Sequence, residues 1–146
     1  MTFPLFFWIV LFGCVAPASN QFADVISVEV SGREQAYIFS VGISSPDTGC
    51  DQYADWWEVI TEDGALAYRR ILAHSHAEEQ PFVRSGGTGA ISSGQTVIIR
   101  AHMNKAGYGG KAFKGSLKSG FTQVALEKDF AAALEKQDPL PDGCDF

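Results

Sequence analysis

Positive charge is scarce in this 146-residue sequence, which holds 11 Lys and Arg against 17 Asp and Glu and has a net charge of −6. The basic residues form no dense run, whereas a protein that binds nucleic acid needs a basic patch against the phosphates. Nucleic acid is therefore not an expected partner. The length suits one ordinary domain with its own core and is too short for two.

A hydrophobic run long enough to cross a membrane as a helix is also missing. The apolar run Phe3–Phe12 is shorter than the ~20 residues that a spanning helix needs. Residues 1–18 carry no charged side chain, and Ala16-Pro17-Ala18 supplies the small-x-small pattern of a cleavage site. We interpret residues 1–18 as an export signal peptide, so that a secreted or periplasmic chain without a transmembrane span begins at Ser19.

Cysteine is rare too, with three in the sequence. Cys14 ends the stretch LFGC, which resembles a bacterial lipobox, and lipid anchoring through Cys14 is therefore the alternative to cleavage after Ala18. Cys50 and Cys144 lie in the exported part, where an oxidising compartment allows them to pair. We predict a Cys50–Cys144 disulfide that ties the C-terminal tail back to the domain, with two free thiols as the alternative.

Helical periodicity appears in one place only, the segment VALEKDFAAALEKQ, where Leu126, Phe130 and Leu134 are spaced four apart. Elsewhere, short segments such as ADVISVEVSG and QTVIIRAHM alternate in polarity or cluster β-branched residues, which is typical of strands. The pattern predicts an all-β fold over residues 19–146: one immunoglobulin-like antiparallel β-sandwich of six to seven strands, with a short C-terminal helix at about 124–137.

One hairpin can be read in register. Asp63-Gly64 separates two strand-like segments and suits a two-residue type I′ turn. In that register Glu58 faces Arg69 as an opposite-charge pair, and Trp57 faces Arg70, whose guanidinium can lie on the indole. We assign both pairs a structural role in holding the sheet.

The same register, carried outward, places Tyr53 opposite His74 and Asp51 opposite His76. This extension requires the turn to have two residues and both arms to stay paired over an unusually long hairpin.

The three histidines suggest a metal site. His74 and His76 are two residues apart, so in a strand both point to the same face and can converge on one ion. Zinc or copper needs further ligands, for which the candidates are His102, Asp51 and, just downstream, Glu78 or Glu79. The alternative is that His74 and His76 are polar residues at a strand end with no ligand.

Signatures of catalysis are missing from the sequence. No G-x-S-x-G elbow occurs, and no free cysteine remains in residues 19–146 once Cys50 and Cys144 pair. The adjacent Glu78 and Glu79 would point to opposite faces of a strand, which does not suit a glycosidase pair. A non-enzymatic protein is expected, with a small hydrolase as the alternative.

Three loop segments rich in glycine or proline, SSPDTG, RSGGTG and NKAGYGG, can cluster at one end of a sandwich. We therefore expect an exported binding or accessory module that contacts an unknown protein or small ligand through its loops. The alternative is an extracytoplasmic copper- or zinc-binding protein that uses the histidines.

Overall fold

The computed structural model describes residues 20–88 and 90–145; the predicted signal peptide, Ser19 and Cys14 lie outside these residues. Strands make up nearly all of the regular structure. They are β1 (Asp24–Arg33), β2 (Ala36–Ser44), β3 (Ala54–Thr61), β4 (Leu66–Ile71), β5 (Phe82–Thr88), β6 (Val97–Met103), β7 (Ala112–Ser116) and β8 (Gly120–Val124). Within the described ranges, no helix has the length and apolar character that crossing a membrane requires.

The strands form two antiparallel sheets, one of three strands in the order β1-β2-β5 and one of five strands in the order β4-β3-β6-β7-β8. Buried side chains from both sheets, including Phe39 on β2, Trp57 on β3 and Ile99 on β6, form one core. The predicted all-β fold with antiparallel sheets is confirmed, with eight strands in place of six to seven.

Burial along the strands shows which sheet is covered on both sides. In β2 buried residues alternate with more exposed ones from Ala36 to Val41, as expected for a sheet with one face in solvent. In β3 every residue from Ala54 to Ile60 is buried, and in β6 every residue is buried. The centre of the five-stranded sheet is therefore covered on its outer face as well as on its core face.

The cover is the C-terminal tail, and it is not the predicted helix at 124–137. Residues 120–124 form β8, and the only helical turn in the described part of the tail is a 3-10 helix at Ala132–Lys136. Ala131, just before it, has a φ of 48°, in the left-handed region that an α-helix cannot contain. Leu126, Phe130 and Leu134 do pack together against the sheet, so their spacing predicted the buried face correctly and the helix wrongly.

The β3–β4 hairpin has a longer turn than predicted. The backbone N–H of Thr61 donates to the carbonyl of Ala65 at 2.8 Å, so the loop consists of residues 62–64. Gly64 takes a φ of 89°, as the left-handed position of such a loop requires. A bulge at Ala67 then shifts the pairing by one residue. The extra loop residue and the bulge shift the pairing by one residue in opposite directions. Beyond the bulge, β3 and β4 therefore pair in the predicted register.

The predicted Cys50–Cys144 disulfide is present, with the two Cα atoms 5.6 Å apart. It joins the segment before β3 to the end of the tail. Beside it, the backbone N–H of Asp145 donates to the carbonyl of Ala73, so the end of the tail also lies against the segment that follows β4.

Candidate functional site

An open cleft of about 480 Å³ lies at the disulfide end of the domain. This volume falls within the range of small-molecule sites, roughly 300–1,000 Å³. Its walls are the loop after β4, the segment around the disulfide and the end of the tail. The lining residues are Gly49, Cys50, His74, Ser75, His76, Ala77, Glu78, Glu79 and Asp145.

Asp47 and Gln80 hold the loop of the cleft in place. One Asp47 oxygen accepts hydrogen bonds from Ser45 Oγ at 2.7 Å and from the backbone N–H of Ala54 at 2.9 Å. The other accepts the backbone N–H of His76 at 2.8 Å. The Gln80 amide donates to the carbonyl of His76 at 3.2 Å. The backbone of His76 is therefore fixed on both sides by side chains from neighbouring segments.

His76 forms the inner wall of the cleft and is only 3% exposed. Its ring stacks on Phe82 with centroids 3.9 Å apart and planes 11° apart. The ring of the exposed His74 also lies next to that of His76, with the two ring centroids 4.5 Å apart. Neither ring nitrogen of His76 has a hydrogen-bond partner, and neither does the buried hydroxyl of Ser75. Native proteins rarely leave such buried polar atoms unpaired.

The environment keeps His76 uncharged. Burial lowers the pKa of His76, and electrostatic interactions with Arg84 and His74 act in the same direction. The carboxylates of Asp47 and Glu79 oppose them with smaller effects. At neutral pH the ring is therefore the neutral imidazole, which offers one N–H donor and one lone pair.

The rim of the cleft is acidic. Glu78, Glu79 and Asp145 line it, and Arg84 neutralises one of these charges through an ion pair with Glu79 at 2.8 Å. The hydrogen bond from Arg84 lowers the pKa of Glu79. The cleft thus combines a neutral buried imidazole with negative charge at its edge.

His102 is not part of the cleft. It lies on β6 under the tail, 5% exposed, and stacks on Trp56 with ring centroids 3.6 Å apart. Its Nδ1 contacts Asp55 Oδ1 at 2.6 Å and its Nε2 contacts Glu135 Oε1 at 3.0 Å. Burial raises the pKa of Asp55, although the hydrogen bond with His102 works against that shift. His102 joins the sheet to the tail.

The predicted metal site of His74, His76, His102 and Asp51 is therefore not assembled. Pairing of β3 with β4 ends at Trp56 and Ile71, so the expected Tyr53–His74 and Asp51–His76 pairs do not form. His74 and His76 lie in a loop and still come together, with ring centroids 4.5 Å apart and planes tilted by 36°. Over 20–88 and 90–145, no three His, Cys, Asp or Glu side chains are grouped to hold a metal ion.

Glu58 and Arg69 lie opposite each other, as the hairpin register predicts, but the pair is fully buried and has a third member. Glu58 accepts hydrogen bonds from Arg69 Nη2 at 2.6 Å and from Arg100 Nε at 2.8 Å. Arg100 was not predicted, and the signal for it is an arginine in the apolar strand VIIRAHM. A charge in a fully buried strand requires a partner of opposite charge.

The two arginines also hold the tail. Their guanidinium groups donate to five main-chain carbonyl oxygens of the tail. A helix at 124–137 would use two of these, those of Phe130 and Ala131, in its own hydrogen bonds, because the carbonyls of the last turn of a helix have no partner within it. Arg69 binds the carbonyls of Leu134, Gln137 and Pro139, and Arg100 binds those of Phe130 and Ala131.

Trp57 and Arg70 lie opposite each other in the predicted register, but the guanidinium of Arg70 does not lie on the indole. Trp57 belongs to the core and packs against Tyr68, with ring centroids 5.5 Å apart. Arg70 is exposed and donates to the carbonyl of Ile71. The guanidinium that does lie over an indole is that of Arg69, 4.4 Å from the ring of Trp56, on the tail side of the sheet.

Taken together, the fold and the cleft define an all-β domain of two antiparallel sheets with an open cleft beside a disulfide. No family model and no solved structure matches the chain. The chain is 37% identical over 118 residues to a protein of Halomicrobium mukohataei described as "Putative lipoprotein". The match covers 80% of this chain and 58% of that protein, so the chain spans less than two thirds of the length of its relative.

Proposed function

We propose that the domain is an extracytoplasmic, non-enzymatic binding or accessory module that takes a small ligand, or a side chain of a protein partner, into the cleft. The observation that carries this proposal is the open cleft of about 480 Å³ with the unpartnered imidazole of His76 in its wall. A concave, mostly preformed site with a few polar groups is the usual form of a ligand pocket.

The position of Ser75 supports a binding role over hydrolysis. Its hydroxyl lies between two histidines in sequence and yet has no hydrogen bond to either ring. A serine nucleophile requires such a bond to a general base. The other histidine, His102, has a carboxylate oxygen of Asp55 or Glu135 at each ring nitrogen, so neither nitrogen is directed at a hydroxyl.

Export is supported by the disulfide, since such bonds persist in oxidising compartments. The description of the Halomicrobium relative as a lipoprotein favours a lipid anchor, for which Cys14 is the candidate; cleavage after Ala18 and release remains the alternative. The intact mass of the mature protein separates the two, because one product carries acyl chains on Cys14 and the other begins at Ser19.

The strand order supports an immunoglobulin-like form of the sandwich. If β1 to β7 correspond to strands A, B, C, C′, E, F and G, the sheets β1-β2-β5 and β4-β3-β6-β7 have the order A-B-E and C′-C-F-G. β8 extends the second sheet by one strand. In such sandwiches the loops at the ends carry the binding surfaces, as proposed for the loop of His74 and His76.

The cleft can be tested by filling it. Ala77 is exposed and lines the cleft, so Ala77→Trp places an indole in the proposed ligand position. Immobilised protein is incubated with envelope extract and spent medium of the source organism, and retained compounds are compared by mass spectrometry. We expect retention by the wild type and by Ala65→Trp, an exposed control at the hairpin turn, and none by Ala77→Trp. Equal retention by all three would contradict the proposal.

A further inference from the structure

His74 and His76 lie at a separation that suits two imidazoles bound to one ion. Their ring centroids are 4.5 Å apart and their planes are tilted by 36°. Metal–nitrogen bonds to histidine measure about 2.0–2.1 Å, so two rings on one ion must approach within a few ångströms of each other. The centroid separation of His74 and His76 meets this condition.

One ring of the pair is fixed and the other is accessible. Phe82 stacks on His76, while Asp47 and Gln80 hold the backbone of His76 on both sides. His74 is exposed to solvent. A rigid buried ligand combined with an accessible one allows an ion to enter and then to be held in a preorganised site.

The strongest indication of a ligand is the state of the His76 nitrogens. Both are buried, and neither has a partner in the protein. Buried polar atoms without partners in a native fold call for an explanation, and a bound ion or water is a common one. A bond to a metal would give one of these ring nitrogens a partner. His76 lines the cleft, from which an ion could reach it.

From these observations we propose that His74 and His76 bind a divalent late transition-metal ion, zinc or copper(II), at the wall of the cleft. Imidazole nitrogen is a preferred ligand of both ions. This inference rests on the proposed function, since it names the ligand class of the same cleft.

The charged side chains around His74 and His76 do not repel a cation. Alongside the exposed Arg70, a second positive side chain, Arg84, lines a small cavity together with His74 and His76. Its charge is paired with Glu79 at 2.8 Å. Glu78 and Asp145 add negative charge to the rim of the cleft. The site therefore presents no excess of positive charge to an incoming ion.

The ion would keep open coordination positions. In the described ranges no third His, Cys, Asp or Glu is grouped with the pair, so water fills the remaining positions until a ligand replaces it. Two protein ligands give weaker binding than the three or four of catalytic and structural zinc sites. We therefore expect a dissociation constant in the micromolar range and an ion that can bridge the cleft to a partner.

The test titrates zinc or copper(II) chloride into exported, tag-free protein that has been treated with chelator and desalted, and follows binding by calorimetry. We expect one ion per chain and a loss of affinity of about tenfold or more in His74→Gln, which leaves the buried ring in place. His76→Gln is expected to behave alike. Asp51→Asn, the ligand candidate that the structure leaves out of the cleft, serves as the control with unchanged affinity.

A second readout locates the ion. Paramagnetic copper(II) is expected to broaden the NMR signals of Gly49, Ser75 and Asp145 around the cleft and to spare those of Glu135 and His102 under the tail. No binding at about 100 µM ion, or binding that survives both histidine substitutions, would overturn the metal assignment. If ligand retention is still lost in Ala77→Trp, only the metal assignment fails and the binding cleft stands.

Discussion

Glu58 is the residue whose role differs most from its sequence-based interpretation. The hairpin register predicts one cross-strand partner, Arg69, of the kind that contributes tenths of a kcal/mol at a surface. In the fold Glu58 has no solvent exposure and faces two guanidinium groups, because Arg100 pairs with it from β6. Removing one member of a buried ion pair leaves an uncompensated charge, which costs far more than the loss of an exposed pair.

Glu58→Gln is therefore expected to lower the free energy of unfolding by about 3–5 kcal/mol, measured by chemical denaturation. The matched control is Glu62→Gln, which removes an exposed carboxylate paired with Lys114 and should cost no more than about 1 kcal/mol. Equal losses in the two variants would show that burial of Glu58 does not determine its contribution.

A second residue-scale prediction concerns Gly110. A Cβ atom at this position would collide with the backbone carbonyl of Ala23, which is part of the buried core and cannot rotate away. Gly110→Ala is expected to cost about 1–3 kcal/mol of unfolding free energy, as overpacking generally does. Gly94→Ala adds the same methyl group in open space and should change stability by less than about 0.5 kcal/mol. If Gly110→Ala leaves the free energy of unfolding unchanged, the close approach of residue 110 to the Ala23 carbonyl is contradicted.

At the scale of elements, the sequence predicted what is local and missed what depends on distant partners. Strand positions follow from the local alternation of polar and apolar residues, whereas the predicted Glu58–Arg69 register is correct only because the longer loop and the bulge at Ala67 cancel. The partnership of Glu58 with Arg100 depends on β3 pairing with β6, and no local pattern records that neighbour. The predicted grouping of Asp51 with His76 extended the hairpin beyond Trp56 and Ile71, where pairing ends, so that pairing does not form.

The tail shows why its helix was predicted and does not form. Leu126, Phe130 and Leu134 share the spacing of a helical face, and all three pack on the outer side of the five-stranded sheet. Isolated helices of this length are marginal and rely on tertiary contacts. Here Arg69 and Arg100 draw the main-chain carbonyls of the tail toward buried charges, which favours an irregular path over a regular helix.

Ala131→Gly distinguishes the two conformations by the sign of its effect. Within a helix this change would destabilise the protein by about 1 kcal/mol. At the observed φ of 48° glycine removes the strain that a side chain causes there, so we expect stabilisation by up to about 1 kcal/mol in chemical denaturation. Ala133→Gly, inside the 3-10 helix, is the control and should be destabilising. A destabilising Ala131→Gly would favour a helical tail.

At the scale of the whole molecule, the disulfide and the cleft share the same end of the domain. Cys50 lines the cleft, and the tail that Cys144 anchors contributes Asp145 to its wall. The sequence could not reveal the stacking of His76 on Phe82 or the unpaired ring nitrogens. Those features arise only when β5, the loop after β4 and the tail come together.

The cross-link spans 94 positions in sequence, so it removes much chain entropy from the unfolded state. The loop-closure relation gives a contribution of about 4.6 kcal/mol. The double variant Cys50→Ser, Cys144→Ser should therefore melt roughly 15 °C lower than the wild type in calorimetry. Excess reductant should lower the wild-type melting temperature by a similar amount and leave the double variant unchanged. An equal shift of both proteins with reductant would show that the effect does not come from this bond.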